Sequence, residues 1–220
     1  MRSSYTGWAH STLDNDATDI AAFVAYLKRL GKKRIVLMGS STGCQDCMQF
    51  MEEDPAIYAY ILQAPTSDRL TATTVMAPED YSCSLDYTRE QIAQGNLEGT
   101  VPKELIPPLI KEPVTILRWY SLIAPGNEDY FHPDLDEEKM HCKFHVMNRP
   151  TLMLPSENDE MIPPSVDKAA LLKRWIQASS LMVSQLSAVV PEADHTLSSI
   201  VSRRWVADRV VQFLRSVDTA

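Results

Sequence analysis

The chain has 220 residues, 45% of them hydrophobic and 23% charged, with a formal net charge of -8. That length suits one domain with a sizeable core, and the negative balance argues against nucleic acid and anionic membranes as partners. No apolar run reaches the roughly 18 residues of a membrane span, and Met1-Arg2-Ser3-Ser4-Tyr5 lacks the apolar core of a signal peptide, so a cytoplasmic location is expected.

In chain order, residues 1–14 read as a loop, with Asp14 or Asn15 placed to cap the next helix. Ile20, Phe23, Val24, Leu27 and Leu30 recur at a helical period, which predicts one buried face, and Gly31 is a suitable stop. A buried strand follows at 34–38. It runs into Gly39-Ser40-Ser41-Thr42-Gly43, a Gly-x-Ser-x-Gly pentapeptide opening a helix-like stretch. Strand, sharp turn and helix in that order are the setting of a nucleophile elbow, with Ser41 held in a strained conformation and both glycines allowing close passage. The Thr42 N–H at the helix start would then face a developing oxyanion.

The helix after the turn is expected to run to about Glu53 and to end at Asp54-Pro55. The four cysteines are Cys44, Cys47, Cys83 and Cys142. They read as free thiols. Cys44-Gln45-Asp46-Cys47 has the form Cys-x-x-Cys, but no second pair has ligand spacing, so small buried side chains under the turn are expected rather than a metal site. Ile57 to Leu62 reads as a second buried strand.

From residue 66 to 148 the strand–helix alternation stops. Prolines cluster, short helical pieces fall at 86–94 and 114–123, and residues 127–139 are acidic. This reads as a cap inserted into a core made of residues 1–65 and 149–220. Trp119, Tyr120, Tyr130 and Phe131 are candidate substrate-binding residues in that cap, and its acidic side chains read as a solvated face. The core pattern resumes with a strand at 151–154, the loop Ser156 to Pro163, and a helix carrying Val166, Ala169, Ala170, Leu171 or Leu172, Trp175 and Ile176. A last strand at 185–190 and a last helix at about 199–216 complete it. The fold class is therefore α/β with a mostly parallel sheet.

Ser41, then Asp159 after a strand, then His195 after the last strand is the chain order of α/β-hydrolases. A serine hydroxyl needs a base, an imidazole is neutral near pH 7, and a carboxylate fixes its tautomer. Glu157 and Glu160 are alternatives for the acid. His132, His141 and His145 lie in the insertion and fit the base less well. The pattern points to a serine-dependent ester hydrolase acting on a small-molecule ester with no metal or cofactor. A thioesterase or peptidase is the alternative within enzymes, and a non-catalytic hydrolase-like binding protein the alternative outside them. Oligomeric state is not legible.

Several segments resemble a mostly fungal group of α/β-hydrolases. They are Arg2 to Gly7, Gly39 to Asp46, Arg118-Trp119-Tyr120-Ser121-Leu122, Asp129-Tyr130-Phe131 and Ala193-Asp194-His195. That group includes the siderophore esterases that open fusarinine-type esters. The resemblance implies intracellular ester hydrolysis of a hydroxamate siderophore, with Ser41, Asp159 and His195 as the triad. Two departures stand out. Ser40 precedes the nucleophile where the group usually has His. The opening Tyr5 to Ser11 looks like the loop after the fourth strand, so the N-terminal strands and their His-Gly oxyanion loop are expected to be missing, with reduced activity as the consequence.

Overall fold

The computed structural model describes residues 1–51, 57–126, 128–179 and 182–218. The expected helix end at 53–55 lies outside the described residues. After a 3-10 turn at Tyr5–Ala9 come α1 (Leu13–Arg29), β1 (Ile35–Ser40), α2 (Thr42–Phe50) and β2 (Ile57–Gln63). Then follow α3 (Asp68–Val75), α4 (Pro78–Ala93), α5 (Ile116–Ile123), α6 (Glu137–Phe144), β3 (Thr151–Leu154), α7 (Lys168–Ala178) and α8 (Ile200–Asp218).

The sheet has the order β1-β2-β3 and both pairings are parallel. Ser40 pairs with Gln63, and Gln63 with Leu154, so three strand ends lie side by side at one edge of the sheet. Successive side chains of β2 alternate between two cores, as the period of a strand requires. Tyr60 and Leu62 join a cluster with Met48 of α2, Met140 and Phe144 of α6, and Trp175 of α7. Ala59 and Ile61 join Leu152, Leu154 and the α8 residues Val206 and Phe213. Helices thus cover both faces, the arrangement that lets a short parallel sheet carry near-continuous apolar strands.

The segment at 185–190 is not a regular strand. It runs beside β3 through single bridges, Thr151 to Val183 and Ser156 to Val190. The reason is local. Ser187 N–H turns back to the Ser184 carbonyl, and the Ser187 hydroxyl accepts from Met153 N–H, replacing a ladder bond with a side-chain bond. In α1 the N-cap is Thr12, not Asp14 or Asn15. Its buried face is also narrower than the periodicity predicts. Val24 is fully buried, but Phe23 is 59% exposed and Leu30 is exposed. Phe23 instead stacks on Tyr26 at 6.4 Å. In α7 the buried residues are Leu171, Leu172, Trp175 and Ala178, while Ile176 points outward.

Between β2 and β3 the helices fall into two packing groups. Ala72 of α3, Leu85 of α4, and Ile116, Trp119 and Ile123 of α5 form a small core of their own with Val101, Ile106 and Val114. Phe131, Leu135, Met140, Phe144 and Met147 pack instead into the main core, where Phe131 meets Trp175 edge-on at 5.2 Å. Ion pairs tie the segment between β2 and β3 together. Arg69 bonds Asp129 at 2.7 Å, and Arg118 bonds Glu128 at 2.8 Å. The acidic run is therefore only partly a solvated face: Glu128 and Asp129 are turned inward, while Asp134 and residues 136–138 are exposed. Among the described residues, no helix is long and apolar enough to cross a membrane.

Candidate active site

Ser41 stands between the end of β1 and the first turn of α2, with φ 56° and ψ -125°. A non-glycine residue in that region is strained, and it persists only where its surroundings fix it. Two contacts do so: Ser41 N–H donates to the Gln63 carbonyl at 3.1 Å, and Cys44 N–H donates to the Ser41 carbonyl at 2.9 Å. Gly39 is required by close approach, because a Cβ there would lie 2.1 Å from the Gly43 carbonyl oxygen. Gly43 differs from its expected role. A Cβ on it would meet nothing within 4 Å.

His195 comes from the loop between the 183–190 segment and α8, and Asp159 from the loop after β3. Nε2 of His195 lies 2.8 Å from Ser41 Oγ, and Nδ1 lies 2.9 Å from both Asp159 carboxylate oxygens. A carboxylate only accepts, so Nδ1 carries a proton and Nε2 is free to accept from the serine hydroxyl. Asp159 is buried and also accepts from Met161 N–H. The hydrogen bond to Asp159 raises the His195 pKa above its ordinary value, against an opposing effect of burial. Of the alternative acids, Glu160 accepts from His195 main-chain N–H at 2.9 Å, and Glu157 accepts from Glu192 N–H. Both shape the loops without touching the imidazole ring nitrogens. His132 is engaged with Asp134, His141 with the Ala178 carbonyl, and His145 with the Cys142 carbonyl.

Thr42 is the first residue of α2, where helix N–H groups have no partner within the helix. Cys44 and Cys47 are buried beneath it. Burial pushes the Cys47 thiol up to about 12 and raises Cys44 well above its usual value, so both stay protonated and unreactive.

Gln63 was not singled out by sequence reasoning. It closes β2 and holds four groups together. Its side-chain oxygen accepts from Ser40 Oγ, its Nε2 donates to the His195 carbonyl, and its own carbonyl accepts from Ser41 N–H and Cys44 Sγ. The one signal available in the sequence is a polar residue ending the apolar run Ile57 to Leu62.

Beside Thr42 and Gly43 opens a cavity of about 360 Å³ lined also by Asp16, Asp46, Asp68, Arg118 and Leu122. A second cavity of about 280 Å³ shares Trp8, Asp68 and Leu122 with it and is mostly apolar, with Val75, Leu109 and Trp119 in its wall. Of the four aromatic candidates, Trp119 lines this second cavity. Phe131 does not reach either; it is a core residue. Tyr130 hydrogen-bonds Gln49 and carries Lys143 over its ring, and Tyr120 packs against the small core of α3, α4 and α5.

The fold is that of the α/β-hydrolases. The siderophore hydrolase EstB of Aspergillus fumigatus superposes with a TM-score of 0.79 at 25% identity, over 100% of this chain and 80% of that one. A Schizosaccharomyces pombe protein of the UPF0613 group is 29% identical over 98% of this chain and 76% of its own length. The fusarinine C esterase of Aspergillus fumigatus is 24% identical over 99% of this chain and 79% of its own. Residues 1–215 match the model of one family, and the chain belongs to it: the family described as proteins of unknown function, DUF1749.

Proposed function

We propose that this chain is a serine-dependent carboxylic ester hydrolase. The observation that carries the proposal is the continuous line from Asp159 through the His195 ring to Ser41 Oγ, at 2.9 and 2.8 Å, on a strained strand-to-helix turn. In this reading Ser41 Oγ attacks the ester carbonyl while His195 Nε2 takes its proton. Asp159 keeps Nδ1 protonated and stabilises the imidazolium. The tetrahedral oxyanion forms above the start of α2, where the Thr42 N–H and the helix dipole meet it. His195 then returns the proton to the leaving alcohol. Water, deprotonated by the same imidazole, releases the acyl group and restores Ser41.

Residues 66–148 act as the cap, with the α3–α5 part roofing the two cavities and the 128–148 part anchoring it to the core. That a siderophore hydrolase and a fusarinine C esterase are among the relatives supports a siderophore ester as substrate; in this reading it is a hydroxamate siderophore, opened in the cytoplasm so that iron is released. The test is product release from iron-loaded and iron-free fusarinine-type esters, alongside a simple aryl acetate. Parent protein should hydrolyse both classes and Ser41→Ala neither. Turnover of the aryl ester alone would leave an esterase of other substrate. Equal turnover by Ser41→Ala would remove the proposed nucleophile.

A further inference from the structure

We infer that α6 carries a metal site that the catalytic reading does not use: His141 and His145 form a two-imidazole seat for a borderline divalent cation such as Zn²⁺ or Ni²⁺. The two residues are four apart at the C-terminal end of the helix, so both project from one stripe of it. Both are exposed, and their ring centroids lie 6.3 Å apart with 35° between the planes.

Hydrogen bonds fix which nitrogen each ring offers. His141 Nδ1 lies 3.1 Å from the Ala178 carbonyl, and His145 Nδ1 bonds the Cys142 carbonyl. A carbonyl only accepts, so each Nδ1 carries the proton. In the neutral rings Nε2 is then unprotonated, with its lone pair directed away from that carbonyl. A metal-ligating histidine is held in the same way, its other N–H given to an acceptor that sets the tautomer and the ring angle. Two nitrogens about 2.0–2.1 Å from one ion place the ring centres about 5 Å apart, so the exposed rings need to close by about 1 Å.

The surroundings favour a cation. His145 is the C-cap of α6 and Ala178 the last residue of α7, so the negative ends of two helix dipoles lie beside the pair. Neighbouring cations are drawn elsewhere: Lys143 lies over the Tyr130 ring at 4.7 Å, and Lys139 pairs with Asp136 at 2.8 Å. Glu137, one turn before His141, faces Arg174 at 3.5 Å. No group of three or more metal-ligating side chains occurs among the described residues, so water completes the coordination and the ion exchanges freely. Imidazole donors select zinc, nickel and copper over the hard cations magnesium and calcium. A bound ion would pin the end of α6, whose Met140 and Phe144 sit in the main core, beside the end of α7.

The experiment titrates metal-free full-length protein with Ni²⁺ by calorimetry, in a His195→Ala background so that the active-site imidazole contributes nothing. Ni²⁺ is the probe because it prefers imidazole and leaves the exposed thiols Cys83 and Cys142 unoxidised. The protein should bind one equivalent, and His141→Gln and His145→Gln should each weaken that binding about tenfold or more. Glutamine keeps an N–H for the Ala178 or Cys142 carbonyl but is a poor nickel ligand, so midpoints without metal should match the parent's. Zn²⁺ should compete for the site and Mg²⁺ should not. Ni²⁺ at about a hundredfold over Kd should raise the thermal midpoint by about 5 °C or more, a gain absent from both glutamine variants. Weakening of less than about twofold in both variants overturns the site. So does Ni²⁺ binding that is lost in Cys142→Ser and kept in both glutamine variants. No readout depends on ester turnover, so the metal site and the esterase stand or fall separately.

Discussion

Gly39→Ala changes one hydrogen into a methyl group at the point where strand and helix come closest. The new Cβ would lie 2.1 Å from Gly43 O, 2.4 Å from Gly43 C and 2.8 Å from Cys44 N, all main-chain atoms that cannot rotate away. Reaching ordinary contact requires the first turn of α2 to retreat from β1 by about 1.3 Å. Overpacking of this kind costs about 1–3 kcal/mol. The upper half is expected because Gly39 is also paired with Leu62 in the sheet and its carbonyl accepts from Cys44 Sγ. For a domain of this size each kcal/mol lowers the midpoint by about 2–4 °C. The same displacement carries Ser41 and Thr42 away from His195. A misplacement of about 1 Å costs on the order of 100-fold in rate. Urea unfolding and aryl-ester kinetics measure the two effects, with Gly43→Ala as the matched control for stability. At Gly43 the methyl group enters open space inside α2, and helix propensity alone should add about 0.5–1 kcal/mol. If the two alanine variants were equally stable, the close approach at Gly39 would have no energetic meaning and the reasoning would fail.

Other perturbations separate strain, charge and positioning. Ser41→Gly should be more stable than Ser41→Ala by about 1 kcal/mol or more, since only glycine occupies φ 56°, ψ -125° without strain; equal midpoints in thermal unfolding would show that the turn stores none. Asp159→Asn should lower kcat by about 10⁴-fold. Its pH profile should also move. The reaction needs neutral His195, and the bond to Asp159 raises that pKa, so the parent gains activity with pH through a raised value. The variant's ascending limb should therefore sit at lower pH; an unmoved limb contradicts the assignment. Arg69→Met leaves Asp129 buried without its cation and should cost about 3–5 kcal/mol by calorimetry, with part recovered in Arg69→Met/Asp129→Asn. Gln63→Leu should reduce kcat about tenfold while sparing KM, because it removes the side-chain bonds to Ser40 Oγ and the His195 carbonyl without touching substrate, while the Gln63 main-chain carbonyl still holds Ser41 N–H.

The elbow was legible because its physics is local. A four-residue apolar run, Ile35 to Met38, a glycine forced by contact and a helix start are all within ten residues. The chain order of Ser41, Asp159 and His195 carried the rest of the site, since each falls in the loop after a sheet segment. What escaped depends on contacts distant in sequence. Helix α3 is rich in threonine, a poor helix former; it is held by the Ser67 cap, by hydroxyls of Thr71, Thr73 and Thr74 turned onto carbonyls a turn earlier, and by Arg69 reaching Asp129 sixty residues on. Glu128 and Asp129 look solvated until Arg118 and Arg69 are found beside them. Phe131 looked available for ligand because aromatic residues serve both pockets and cores, and only the tertiary partners Phe144 and Trp175 decide which. The 185–190 run has strand-like composition, but Ser184 and Ser187 bend it with bonds no periodicity reveals.

The central claim is that Ser41 is a nucleophile activated by His195. The most direct measurement is covalent modification by a fluorophosphonate, with the modified residue located by peptide mass spectrometry. The parent should be labelled at Ser41 with one equivalent of probe. His195→Ala should label far more slowly, and the rate in the parent should rise with pH as His195 loses its proton. A folded parent that stays unlabelled, or label found on any residue other than Ser41, would contradict the account.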